Sequence, residues 1–182
     1  MSRSTRSHAA SVAALAFATF AAATPFAPAL PPGVRAEAPA LRLRGGGEMT
    51  FFGLSVYDGY YWSVERGFSF AQPFALDLTY RRGFEGRRIA SRSVDEMEKL
   101  GYGTDGERKR WGDAMARIFP DVVKGDRLTG FYVPEGGVRY FLNGAPIGEI
   151  VDPAFARAFF AIWFDPRSSR ADFRRMLLGD AP

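Results

Sequence analysis

From Asp126 to Pro166 the hydrophobic and polar positions predict a strand, a turn, a second strand, a second turn, a short strand and a helix. Leu128, Gly130 and Tyr132 alternate with Thr129, Phe131 and Val133, and Glu135-Gly136-Gly137 offers the left-handed backbone positions that a reversal needs. Val138, Tyr140 and Leu142 then alternate with Arg139 and Phe141 as far as Asn143-Gly144, a strong short-range hairpin signal. Asp152-Pro153 predicts a helix start. The carboxylate accepts orphan backbone N–H groups, and proline at the first helical position gives up no hydrogen bond. Phe155, Phe159, Ile162 and Trp163 stripe one face of that helix, which Asp165-Pro166 ends. A hairpin sheet feeding an aromatic-faced helix predicts an α+β fold.

Upstream, the segment from Glu48 to Trp62 is dense in Phe, Tyr and Val and reads as one strand or two, broken near Asp58-Gly59. Leu41 to Arg44 alternates apolar and basic residues. Gly45-Gly46-Gly47 after it reads as a turn and not a phosphate loop, because no Lys-Ser or Lys-Thr follows. Phe74, Leu76, Leu78 and Tyr80 predict another half-buried strand. Ile89, Val94, Met97 and Leu100 recur at helical spacing before Gly101. Thr104 with Glu107 matches a capping box at the start of a second helix, which carries Trp111, Met115 and Ile118 and stops at Pro120. A last short helix, Ala171 to Leu178, ends at Gly179. Residues 41–182 are therefore read as one domain.

Residues 1–29 read as a secretory signal peptide: a positive start, an apolar run from Ala9 to Ala23, and small residues at Ala21-Ala22-Ala23 or Ala27-Pro28-Ala29 for cleavage. The run is shorter than the roughly 20 residues that span a bilayer, so no permanent span is expected after cleavage. An uncleaved N-terminal helix is the alternative. Residues 30–40 read as a Pro/Ala-rich linker. A cleaved signal predicts a periplasmic or secreted protein.

A chain of 182 residues, 47% hydrophobic and 15% aromatic, is long enough and apolar enough to bury a core. The formal charge is +4, but Arg3 and Arg6 lie in the signal segment, and the remaining arginines are interspersed with acids. No basic stripe is left to bind nucleic acid. The absence of cysteine excludes a disulfide framework, a thiolate nucleophile and a thiolate metal site. His8, the single histidine, leaves with the signal, so neither an imidazole base nor a metal or other cofactor is expected.

The order and spacing of "LNGAPIGEI" and "DPAFARAFFAIWFDP", with "FFGLSVYDGYYW", "PFALDLTYRRGFEG" and "FPDVVKGDRLTGFYVPEGGVRYFLNG" upstream, resemble the bacterial secreted branch of the chalcone isomerase-like family. The resemblance runs from Leu41 to Gly179. It implies an antiparallel sheet packed against a layer of helices, as in the plant chalcone isomerases and the plastid fatty-acid-binding proteins. In the isomerases an Arg on an early strand receives a phenolate. A strand Thr and a helix Tyr polarise the ketone, and an Asn with a Ser or Thr on helices holds the far ring. Carried over, the strand Thr falls at Phe52, the helix Tyr at Ile89, the Asn at Glu96 and the last hydroxyl at Ile162. The four polar groups have become two isoleucines, a phenylalanine and a glutamate, which argues against ring closure, a step that needs charge stabilisation.

Arg42 lies ten residues before Phe52 and shares its strand parity, as does Arg44. In the fatty-acid-binding relatives an Arg at this place, with a Tyr, holds the head group. The resemblance thus implies Arg42 as a carboxylate anchor, with Tyr57 or Tyr60 as hydroxyl donor. An Arg alternating with Leu at a chain start also reads as a solvated edge residue. The reading carried forward is a non-catalytic protein binding a small apolar or fatty-acid-like ligand in the cleft between sheet and helices, through Arg42, Phe52, Tyr57, Ile89 and Ile162. The alternatives are an intramolecular lyase or isomerase using Arg42 and Tyr57, and an interaction module without a small ligand. An apolar cavity with a guanidinium at its blind end would favour binding, two or more converging polar side chains the first alternative, and a filled cleft with an exposed apolar patch the second.

Overall fold

Among the described residues, six antiparallel strands lie side by side in chain order, and five helices cover their two faces. The computed structural model describes residues 29–180. The elements are α1 (Pro32–Glu37), β1 (Arg42–Phe51), β2 (Leu54–Ser63), β3 (Phe74–Tyr80), α2 (Gly86–Lys99), α3 (Asp105–Ile118), β4 (Arg127–Val133), β5 (Gly137–Leu142), β6 (Ala145–Ile150), α4 (Pro153–Phe164) and α5 (Ala171–Leu178). The helical pair α2–α3 is inserted between β3 and β4, which nonetheless pair directly, from Phe74 with Tyr132 to Thr79 with Arg127.

Strand alternation decides what faces what. Tyr61, Phe74, Leu76, Leu78, Tyr132 and Tyr140 point to the inner face, where they pack against Phe155, Phe159, Phe160, Trp163 and Phe164 of α4. The start of α4 is held as expected: Asp152 Oδ1 accepts from the backbone N–H of Ala154 (2.8 Å) and Phe155 (3.0 Å). Its Oδ2 accepts from Trp111 Nε1 at 2.9 Å, which ties α3 to the same cap. The reciprocal capping box of Thr104 and Glu107 starts α3.

Three local readings change. Gly45-Gly46-Gly47 is not a turn but part of β1, because α5 and the Tyr60 ring lie where side chains would be. Asp58-Gly59 does not break a strand either. Asp58 faces outward to Arg81 (2.7 Å), and Gly59 leaves room for the Phe173 ring. The reversal falls at Phe52 (φ 48°) and Gly53 (φ 74°), the left-handed pair that Asn143 (φ 51°) and Gly144 (φ 87°) form in the β5–β6 hairpin. Phenylalanine at the first position hid the signal.

The segment read as a linker contains α1. Pro31 precedes the helix and Pro32 opens it, the position proline tolerates, while Leu30, Val34 and Ala38 recur every four residues. They pack with Leu41 over Tyr60, Trp62, Phe131 and Phe141 on the outer face of the sheet. Beside them Asp77 is fully buried. It takes a bidentate pair from Arg127 (3.1 and 2.8 Å) and a hydrogen bond from the Thr129 hydroxyl. The signal-peptide reading of residues 1–29 falls, but for Ala29, outside the described ones.

Candidate ligand site

The interface between sheet and helix layer is packed nearly solid. A void of about 10 Å³ remains, bounded by Leu76, Leu78, Gly130, Tyr140, Phe159 and Trp163. Ligand pockets of drug size run to several hundred Å³. A groove of about 640 Å³ lies elsewhere, open on the surface at the start of α2, and is lined by Arg82, Phe84, Glu85, Arg88, Asp121 and Val122.

Polar groups gather at one corner of the interface, where the β1–β2 hairpin meets α2, α4 and α5. Tyr57 projects inward from β2 between the rings of Tyr80 (5.9 Å between centroids) and Phe173 (5.7 Å). Trp163 Nε1 on α4 donates to the Tyr57 hydroxyl at 3.0 Å. No described residue accepts the phenol proton in turn. Burial pushes the Tyr57 phenol up to about 12, against the opposing pull of the Trp163 N–H and of Arg170. It stays a neutral donor at physiological pH.

Around it stand Arg92 on α2 and Arg170 before α5, whose guanidiniums lie 5.9 and 5.0 Å from the centre of the Phe51 ring. Glu96, the residue at the Asn position of the resemblance, is buried here and ionised. It pairs with Arg92 (2.6 Å) and Lys99 (3.0 Å) and accepts from the Ser169 hydroxyl (3.1 Å). Burial alone would raise its carboxyl, but the bonds from Lys99 and Ser169 and the Arg92 charge outweigh that and hold it below the usual range.

The floor of this corner is glycine. A Cβ on Gly45 would meet the Met176 carbonyl, one on Gly47 the Met176 side chain, and one on Gly59 the Phe173 ring tip at 2.5 Å. Helix α5 therefore lies directly on the strand backbones, with Phe173 and Met176 filling the space beside Tyr57. Arg170 at the helix entry supplies no side-chain cap to it.

Of the five residues expected to bind ligand, Tyr57 stands in this corner. Ile89 on α2 and Ile162 on α4 are half-buried and pack against the same core. Phe52 stands at the hairpin tip, 89% exposed. Arg42 is exposed at the far end of β1, where its guanidinium donates to the carbonyls of Pro39 (2.7 Å) and Leu41 (2.9 Å). It pairs in register with Ser63, six residues along β2 from Tyr57 and so about 20 Å away. Arg44 likewise turns to the carbonyls of Ser63 (3.1 Å) and Val64. Neither early arginine reaches this corner: Arg42 lies at the opposite end of the strand pair from Tyr57, and Arg44 is the extra residue of the bulge between Leu43 and Gly45. Arg92 and Arg170 were not singled out in the sequence, where each is one of many arginines in a mixed-charge run.

A profile of chalcone isomerase-like proteins matches residues 28–179, nearly the whole described chain with α1 included. The chain belongs to the chalcone isomerase-like family. Among solved structures, the crystal structure of a fatty-acid binding protein from Arabidopsis thaliana is similar to it. The TM-score is 0.58 at 12% identity, covering 78% of this chain and 88% of that one. At such identity the likeness is one of fold, and it agrees with the α+β architecture expected of a chalcone isomerase-like chain. No curated protein matches the chain.

Proposed function

We propose that this chalcone isomerase-like protein is a non-catalytic binding protein for a small apolar ligand with a carboxylate or carbonyl head, of the fatty-acid type, working in the periplasm. The observation that carries the proposal is the Tyr57 hydroxyl. It is oriented by Trp163, kept protonated by burial, and left with a proton to donate beside two guanidiniums. A carboxylate or carbonyl oxygen is the acceptor that such a donor lacks, and arginine favours the charged form. The family, and a structural neighbour described as a fatty-acid binding protein, point the same way. The signal pattern of residues 1–29 supports the location.

The filled interface beside an exposed apolar hairpin tip is what the interaction-module alternative expects, and in the binding reading room for the chain of the ligand has to come from side chains that move. The element best placed to yield is α5, eight residues long, without a side-chain N-cap and seated on glycines through Phe173 and Met176. Catalysis is not part of the reading. The carried-over positions hold an exposed Phe52, packed Ile89 and Ile162, and a Glu96 already engaged in ion pairs.

The test is thermal unfolding with and without a medium-chain fatty acid, together with native mass spectrometry of the protein as purified. Binding to the folded state alone raises the melting temperature with ligand concentration. The expected result is such a rise, absent in Tyr57→Phe, with an acyl compound recovered from the parent protein. An unchanged melting temperature and no recovered compound would overturn the proposal.

A further inference from the structure

The tip of the β1–β2 hairpin is built at variance with what folding alone favours. Phe52 sits in a left-handed backbone conformation (φ 48°) that suits Asn or Gly and is uncommon for a bulky residue, and it is 89% exposed. Its neighbours Phe51 and Leu54 are also exposed, at 42% and 53%. Pairing between β1 and β2 continues to Phe51 with Leu54, whereas the last pair of β2 with β3 is Tyr57 with Tyr80. The apolar tip therefore stands out beyond the sheet, and nothing lies within 4 Å of where a Gly53 side chain would be.

The charges around it are mostly basic, with Glu48 on β1 the exposed acid that no ion pair among the described residues engages. No ionisable side chain other than Tyr57 occurs from Thr50 to Tyr57. Arg92 and Arg170 lie over the Phe51 ring, and Arg170 forms no ion pair with any described residue. Arg81 and Arg82 follow the end of β3, where the Arg81 N–H meets the Val56 carbonyl at the base of the tip. The nearby acids Asp58 and Glu96 are taken up by Arg81, Arg92 and Lys99.

We propose that this hairpin tip docks the protein on an anionic lipid bilayer. Phe51, Phe52 and Leu54 enter the boundary of the acyl chains, and Arg92, Arg170 and Arg82 meet the head-group phosphates. Aromatic side chains below a rim of arginine are the pattern of interfacial anchors, and they fit the layered chemistry of a membrane surface. A second copy of this chain is a poorer occupant, because it would bring its own arginines against these. The proposal shares Arg92 and Arg170 with the ligand site but stands on the exposed apolar tip, and it needs no fatty acid.

The test is co-sedimentation of the protein, without added fatty acid, with vesicles of phosphatidylcholine alone and with vesicles containing phosphatidylglycerol. Phe52→Asn is the informative variant: Asn suits the left-handed turn, so its melting temperature should equal or exceed that of the parent. The expected result is binding to the phosphatidylglycerol vesicles alone, weakened by salt and at least tenfold weaker in Phe52→Asn. Equal binding by parent and variant, or no preference for the anionic vesicles, would overturn the proposal. So would a concentration-dependent dimer that Phe52→Asn abolishes, which would give the patch to a second copy.

Discussion

The indole N–H of Trp163 on α4 meets the hydroxyl of Tyr57 on β2 at 3.0 Å, joining the helix layer to the sheet in a corner otherwise made of rings. Tyr57→Phe leaves that buried N–H without a partner, which costs about 1–3 kcal/mol. Urea unfolding should show the loss. Trp163→Phe should cost less in the Tyr57→Phe background than alone, since the two share one bond. With the phenol pushed up to about 12, the Tyr57 contribution to ligand affinity should be flat from pH 6 to 9.

The contact of Gly59 with Phe173 makes a second prediction. Gly59→Ala puts a methyl group against the ring tip at 2.5 Å, and overpacking of this kind costs about 1–3 kcal/mol. Phe173→Ala should cost more alone, by opening a cavity under α5. Combined, the two changes should destabilise by less than their sum in a double-mutant cycle of urea midpoints. Strict additivity would mean that α5 is not seated as described.

On the outer face, Arg127→Met removes the partner of a fully buried carboxylate and should cost about 3–5 kcal/mol. Asp77→Asn combined with Arg127→Met should recover part of this, because no charge is then left buried. Chemical denaturation of the three variants checks it.

Acid sensitivity should arise in part at Asp165. The Arg167 guanidinium bonds, followed by the Arg167 backbone N–H and the Tyr102 hydroxyl, hold this carboxyl down to about 2 against the cost of burial. The unfolded chain, at the ordinary value of about 3.9, takes up the proton first as pH falls. Stability present above about pH 4 is therefore lost as pH drops towards 2. Asp165→Asn should be less stable than the parent at pH 6 and show a shallower decline in that window, read from urea midpoints.

The strand, hairpin and helix pattern from Asp126 to Pro166 was legible because alternation, Asn143-Gly144 and Asp152-Pro153 all act locally. The turn at Phe52-Gly53 and the in-strand Gly45-Gly46-Gly47 were not, because their reasons are tertiary. The glycines answer to α5, more than a hundred residues later, and the turn residue is a phenylalanine where propensity calls for asparagine. Of the site, the resemblance offered Tyr57 or Tyr60 without choosing between them, and Tyr60 lies on the outer face. Arg42 was misplaced because it lies about 20 Å along the strand pair from Tyr57, a distance that strand parity does not report, and the guanidiniums that do stand by Tyr57 come from α2 and from the residue before α5. The helix α1 was masked by its prolines, although Leu30, Val34 and Ala38 carry its period.

The chain has three tryptophans, at 62, 111 and 163, so its indole N–H groups give three resonances in a proton–nitrogen spectrum. Trp163 alone donates to Tyr57, while Trp111 is bound to Asp152 and Trp62 lies on the outer face. Titration with a medium-chain fatty acid tests the account most directly. The Trp163 resonance should shift and saturate while those of Trp62 and Trp111 stay close to their starting positions. If all three stay still, or if Trp62 or Trp111 moves most, the ligand site does not lie at Tyr57.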